Sequence, residues 1–182
     1  MKPIFLFLAP GFEETEAIAT ADILKRAKLN VQFVSIDETP AVTGSHGITV
    51  LADSLFEETD FSDGEMLILP GGMPGTKNLE MHAGLKKLIA DYHAQGKHIS
   101  AICAAPKILG NMGILKGEKA TVYPGNESCL LGAEVADEER VVVSGQFITA
   151  KGPGVSALFG LKIVEILKGK TLSGKIAEAF IL

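Results

Sequence analysis

The chain has 182 residues, of which 47% are hydrophobic and 21% are charged, and its formal net charge is −5. This composition suits a folded domain with a sizeable core and excludes a disordered or fibrous chain. A negative charge without a basic run argues against nucleic acid and membranes as partners. With only two cysteines, no disulfide framework is expected, and the predicted location is a reducing cytoplasm.

Short apolar runs alternate with longer segments of helical spacing. The predicted strands are Ile4–Ala9, Val31–Ile36, Met66–Leu69, Ile99–Ile102, and a hairpin of Val141–Ser144 with Phe147–Ala150, with Ile48–Leu51 as a weaker, antiparallel candidate. The predicted helices are Glu13–Ala27, Leu85–His93, a helix after Cys103, Val155–Leu167 and Leu172–Phe180. This alternation predicts an α/β fold with a mainly parallel sheet covered by helices on both faces. No linker or repeat interrupts it, so one domain is predicted over residues 1–182.

Four loops follow predicted strands and carry the unusual residues of the chain. They are Pro10–Glu16, Pro70–Gly75, Cys103–Pro106 and Gly152–Gly154. In open sheets of this class the functional site lies beyond the carboxyl ends of the strands. The loops are therefore expected to converge there.

Cys103 lies between a predicted strand and a helix that has Pro106 in its first turn. Small residues on both sides, Ala101 and Ala105, suit a sharp turn that pushes one side chain outward, the geometry of a nucleophile elbow. A helix N-terminus beside the sulfur favours the thiolate. The alternative is a buried, inert cysteine, and the segment alone leaves both readings open.

Glu16 is the acidic residue most suited to join this site. Glu13 and Glu14 are explained by the first turn of a helix, where carboxylates complement the dipole. Glu16 lies one turn further on, next to the apolar stripe. A carboxyl buried beside a thiol has a raised pKa and can donate a hydrogen bond to sulfur.

Gly71 and Gly72 follow a buried strand and match neither a dinucleotide fingerprint nor a Walker loop. Their backbone can approach a ligand closely, and with the N–H of Ala104 they can form an oxyanion hole. A tight structural turn is the alternative. No cluster of metal ligands is apparent in the sequence.

The four histidines exclude some chemistry. They are His46, His82, His93 and His98, all upstream of Cys103. A glutamine amidotransferase with a catalytic triad takes its histidine from a motif after the cysteine, and this chain has no histidine there. Peptidases with a similar cysteine turn have a histidine directly after the cysteine, where this chain has Ala104. Both activities are therefore disfavoured. His46 is kept as a possible neighbour of the site. The second cysteine, Cys129, is predicted to be a packed residue.

Together the segments around Glu16, Gly72, Cys103 and Gly152 resemble the DJ-1/ThiJ/PfpI family, most closely its DJ-1-like branch. The resemblance implies a flavodoxin-like sandwich, of the class I glutamine amidotransferase-like type, and a homodimer. It maps the reactive cysteine onto Cys103, the protonated glutamate onto Glu16 and the anion-binding backbone groups onto Gly72 and Ala104.

The chain departs from that branch around the pocket. Tyr123 stands where a histidine precedes a proline in the family, and a phenol cannot replace an imidazole as a base at neutral pH. His46 and Lys151 stand where the family has arginines, which weakens bidentate recognition of an anion. These three are possible pocket residues.

Two functions follow from the resemblance. One is a glyoxalase or deglycase, of lyase or hydrolase type, that acts on small reactive carbonyls without a cofactor through the Cys103 thiolate. The other is an oxidative-stress sensor or chaperone in which oxidants convert Cys103 to a sulfinate without substrate turnover. The sequence does not choose between them.

Overall fold

The computed structural model describes residues 1–182. The strands are β1 (Pro3–Leu8), β2 (Asn30–Ser35), β3 (Ala41–Thr43), β4 (Thr49–Leu51), β5 (Ser54–Leu55), β6 (Met66–Leu69), β7 (His98–Ile102), β8 (Lys119–Ala120), β9 (Glu134–Val135), β10 (Val141–Ser144) and β11 (Phe147–Ala150). The α-helices are α1 (Glu14–Arg26), α2 (Gly75–Met81), α3 (Ala83–Ala94), α4 (Pro106–Asn111), α5 (Ser156–Lys168) and α6 (Lys170–Phe180).

Seven strands form one sheet in the order β10-β11-β7-β6-β1-β2-β5. All neighbouring pairs are parallel except β10 with β11. Two small two-stranded sheets, β3-β4 and β8-β9, lie outside it. The predicted α/β sandwich with a mainly parallel sheet is therefore confirmed.

Alternate residues of the central strands enter two separate cores. Ile4 and Leu6 of β1 pack with α1, α5 and α6, whereas Phe5 and Phe7 pack with α3 and α4 on the other face. Side chains of a strand point to opposite faces in turn, so a strand covered on both sides must be apolar throughout. None of the helices is long and apolar enough to cross a membrane.

Most predicted elements are confirmed within one to three residues, and the hairpin β10–β11 has the predicted bounds. The Ile48–Leu51 candidate forms β4, which pairs antiparallel with the unpredicted β3. The short helix α2 was also unpredicted. It follows Pro74, and its seven residues are too few to show a helical period in the sequence.

The parallel sheet brings its strand ends together at one edge. Leu69 of β6 is in register with Ala101 of β7, and Ile102 is in register with Ala150 of β11. The loops after β1, β6, β7 and β11 consequently meet at this edge, as the sequence predicted.

Helix α1, which carries Glu16, is fixed by close packing against α5. A Cβ atom at Gly160 of α5 would lie 2.9 Å from Cβ of Ile23 in α1, whereas one at Gly174 of α6 would meet nothing within 4 Å. Alanine replacing glycine within a helix ordinarily stabilises a protein by about 1 kcal/mol.

We therefore predict opposite signs for two matched substitutions. Gly174→Ala raises the free energy of unfolding by up to about 1 kcal/mol, whereas Gly160→Ala lowers it by about 1–3 kcal/mol because the helices must move apart. Urea denaturation of both variants measures the difference. Stabilisation by Gly160→Ala would contradict the close approach of α1 and α5.

Candidate active site

Cys103 lies on a strained turn between β7 and α4. Its φ angle is +63°, a left-handed conformation that non-glycine residues seldom adopt. The turn is anchored by two backbone hydrogen bonds of 2.8 Å, from the Cys103 N–H to the Ala150 carbonyl and from the Tyr123 N–H to the Cys103 carbonyl. Strain of this kind persists only where the surroundings hold it, and it is typical of functional sites. This is the predicted geometry of a nucleophile elbow.

Glu16 reaches the same point from the first turn of α1. Glu13 caps this helix, its carboxylate accepting the N–H of Glu16 at 2.7 Å. The Glu16 side chain is almost fully buried, and its Oε2 accepts the N–H of Gly71 at 2.7 Å. Its Oε1 is buried without a hydrogen-bond partner. One oxygen of the carboxyl therefore fixes the side chain, and the other has no hydrogen-bond partner.

The absence of a side chain at Gly71 lets the Glu16 carboxyl and the Cys103 sulfur lie close to the same backbone. A Cβ atom on Gly71 would lie 2.6 Å from Cβ of Cys103 and 2.9 Å from Oε2 of Glu16. Gly72 has a φ of +91°, and its N–H and that of Ala104 point at the sulfur and lower the pKa of Cys103. Neither N–H donates to a backbone carbonyl. The two N–H groups are therefore available to a ligand at the sulfur, which is what the predicted oxyanion hole requires.

Burial makes Cys103 and Glu16 compete for protons. Desolvation raises the pKa of Glu16 from its ordinary 4.5 to about 7, against the lowering effect of hydrogen bonds from Cys103 and Gly71. Desolvation, followed by the negative charge of Glu16, raises the pKa of Cys103 to about 12. Between these values the pair carries one proton, which can lie on sulfur or on oxygen.

The expected lowering of the thiol pKa by N–H groups at the start of a helix is present, but burial outweighs it, so the net pKa is raised and the expected thiolate is not favoured. Cys103 is only 9% exposed, and α4 is a short helix that begins three residues later. Loss of hydration outweighs the two N–H donors in this setting. Any thiolate at neutral pH must arise by transfer of the thiol proton to Glu16.

Above the sulfur lies an open cleft of about 600 Å³. Its lining includes the predicted residues Gly72, Cys103, Ala104, Tyr123 and His46. Glu16 lies beneath this surface rather than in the lining. The remaining lining residues are Glu13, Ser45, Met73, Lys107, Asn126 and Pro153.

The other predicted pocket residues have different surroundings. Tyr123 is 47% exposed at the cleft. Lys151 does not line the cleft, because its ammonium binds the backbone and carboxylate of Asp137. Cys129 is partly buried in a short turn beside Gly110, and it also does not line the cleft.

His46 and Glu14 hold the loop at the mouth of the cleft. Burial opposes ionisation of Glu14, but hydrogen bonds from the ring and backbone N–H of His46 lower its pKa to about 2. The side-chain hydrogen bond to Glu14 and its charge raise the pKa of His46. Glu14 thus anchors a loop, a role that the helix-dipole explanation missed.

Glu13, Glu14 and His46 offer ligand atoms that lie within 4.8 Å of one another. This grouping cannot be recognised in the sequence, because His46 is about 30 residues from the two carboxylates. Oε1 and Oε2 of Glu14 already accept hydrogen bonds from the loop, at 2.7 Å from the His46 N–H and 2.8 Å from its ring. The geometry of the three side chains is that of an ion pair between Glu14 and His46, with Glu13 further away.

The chain is similar to known proteins over its whole length. The family model "DJ-1/PfpI family" matches residues 2–166. The Drosophila melanogaster protein dj-1beta is 32% identical over 182 residues, covering 100% of this chain and 97% of that protein. The Arabidopsis thaliana DJ-1 homolog B is 32% identical over all of this chain, which spans only 42% of that relative's length.

A solved structure shares the whole fold. Toxoplasma gondii DJ-1, in an oxidized form, superposes with a TM-score of 0.95 at 34% sequence identity, covering 100% of this chain and 98% of that one. The flavodoxin-like fold and the match along the sequence agree. The chain belongs to the DJ-1/PfpI family.

Proposed function

We propose that the protein converts small α-oxoaldehydes to hydroxy acids as a cofactor-independent glyoxalase, with a related deglycase activity on glycated groups. The observation that carries this proposal is the buried Glu16 carboxyl, which has one unpartnered oxygen and adjoins Cys103. A nucleophile and a proton carrier with a pKa near neutrality are what such a reaction needs.

The first step forms a bond between the enzyme and the substrate. The thiol proton moves to the Glu16 carboxylate, and the resulting thiolate attacks the aldehyde carbon. The carbonyl electron pair moves to oxygen, where the N–H groups of Gly72 and Ala104 stabilise the charge. The Glu16 carboxyl then donates its proton to this oxygen, leaving a hemithioacetal and a carboxylate.

The second step moves hydrogen between two carbons of the substrate. The Glu16 carboxylate removes the proton from the carbon bound to sulfur, which gives an enediolate, and returns it to the neighbouring carbon. The hydroxyl proton of the first carbon passes to the oxygen of the second, so the first carbon becomes the thioester carbonyl and the second carries the hydroxyl. The first carbon is oxidised and the second is reduced, so no external oxidant or reductant is consumed. Water hydrolyses the resulting thioester, which releases the hydroxy acid and restores the thiol.

Turnover of methylglyoxal to lactate tests this function. We expect no turnover in Cys103→Ser and a loss of about 100-fold or more in Glu16→Gln, because both proton transfers require the carboxyl. Cys129→Ser is the matched control and should retain activity, since Cys129 lies outside the cleft. Turnover that survives in Cys103→Ser would remove the proposal.

The second candidate is an oxidant sensor, and the oxidized form of the similar Toxoplasma gondii DJ-1 favours it. Attack of the thiolate on peroxide gives a sulfenate and water, and a second peroxide gives a sulfinate. The same two N–H groups would stabilise the sulfinate oxygens.

With either function, we also propose that the protein forms a homodimer and has a cytoplasmic location.

Mass spectrometry after mild peroxide treatment tests the sensor. The peptide that contains Cys103 should gain two oxygen atoms in the wild type and fewer in Glu16→Gln, where no carboxylate accepts the thiol proton. The peptide that contains Cys129 is the internal control. Preferential oxidation of Cys129 would contradict a sensor role for Cys103.

A further inference from the structure

Lys107 is a charged residue of the cleft that the proposed reaction does not use. It lies in the first turn of α4, four residues after Cys103, and both residues line the same cleft. Its side chain is only 19% exposed, which is low for a lysine. A largely buried ammonium in the same cleft as a candidate nucleophile calls for a partner or a ligand.

The one ionic partner of Lys107 leaves most of its capacity unused. Its Nζ lies 3.5 Å from Oε2 of Glu80, which is a long ion pair. The other oxygen of Glu80, Oε1, accepts a hydrogen bond of 2.6 Å from Asn111 at the end of the same helix. Asn111 therefore holds Glu80, which orients Lys107, and Glu80 itself is not part of the cleft lining. At least two of the three N–H donors of the ammonium have no protein acceptor.

The other charged groups of the cleft do not neutralise Lys107. The Glu13 carboxylate accepts the N–H of Glu16, and its other oxygen lies 4.0 Å from the His46 ring. The backbone N–H groups of Gly72 and Ala104 also point into this region and carry partial positive charge. Lys107 therefore keeps free donors in a cleft whose one lining carboxylate, that of Glu13, is not its ion-pair partner.

We propose, as an extension of the proposed function, that Lys107 makes the enzyme select α-oxoaldehydes that carry an anionic group, a carboxylate or a phosphate, over neutral ones. The anion binds the free N–H donors of the Lys107 ammonium while the aldehyde carbon meets the sulfur of Cys103. Lys107 is then a specificity residue, and the bond changes at the reacting carbons are those already described.

Two alkylating reagents test the anion site without any turnover. Iodoacetate and iodoacetamide both transfer a carbon to sulfur and release iodide, but only iodoacetate carries a negative charge. In Lys107→Gln we expect the iodoacetate rate constant at Cys103 to fall by about three- to tenfold, with little change for iodoacetamide. Lys107→Arg, which keeps the charge, should retain the wild-type ratio of the two rates.

Lys86→Gln is the matched control, because Lys86 is exposed on α3 and makes no ion pair. This variant removes the same charge from the protein and should leave both rate constants unchanged. An equal fall for both reagents in Lys107→Gln would mean that Lys107 acts on the sulfur itself, and it would overturn the proposal. No change for either reagent would also overturn it.

Turnover then tests the substrate preference. We expect the ratio of kcat/KM for 4-carboxyphenylglyoxal to that for phenylglyoxal to fall by about three- to tenfold in Lys107→Gln. An unchanged ratio would overturn the preference. Absence of turnover of any α-oxoaldehyde by the wild type would instead remove the proposed function, and the alkylation ratio would still report on the anion site.

Discussion

The proposed chemistry of this protein depends on one proton held between two buried groups, the Cys103 thiol and the Glu16 carboxyl. Neither group is well solvated as an anion, so burial raises the pKa of both, to about 12 and about 7 respectively. At neutral pH the pair can therefore lose one proton and keep the other. The retained proton can move to oxygen, and the sulfur then becomes a nucleophile that faces the N–H groups of Gly72 and Ala104.

The position of this pair depends on short distances between neighbouring parts of the fold. Gly71 leaves room for the sulfur and the carboxyl, and a side chain at Gly72 would collide with backbone atoms of the loop before α1. Helix α1 delivers Glu16 and is fixed by its packing against α5. The parallel strands β1, β6 and β7 end at one edge, so three loops that are distant in sequence supply one site.

The sequence allowed much of this to be predicted, because parallel strands leave continuous apolar runs and Cys103 follows one of them. The sharp turn at Cys103 was inferred from its small neighbours, and the inward position of Glu16 from the apolar stripe of α1. The direction of the thiol pKa was wrong, since a helix terminus can be recognised in sequence but the depth of burial cannot. Lys107 and the anchoring of His46 by Glu14 were missed because both depend on contacts between separate elements. Lys151 was assigned to the pocket because it stands where the family has an arginine, whereas its partner Asp137 holds it elsewhere.

The rate of Cys103 alkylation by iodoacetamide as a function of pH tests the shared proton most directly. Below pH 7 both groups are protonated and the reaction should be slow. As pH rises through about 7, Glu16 loses its proton and can accept that of the thiol, so the rate should rise with a midpoint near 7. In Glu16→Gln this step should disappear, leaving only a rise at alkaline pH. A midpoint near the value of an ordinary thiol, about 8.5, that is the same in both proteins would contradict a proton shared between sulfur and carboxyl.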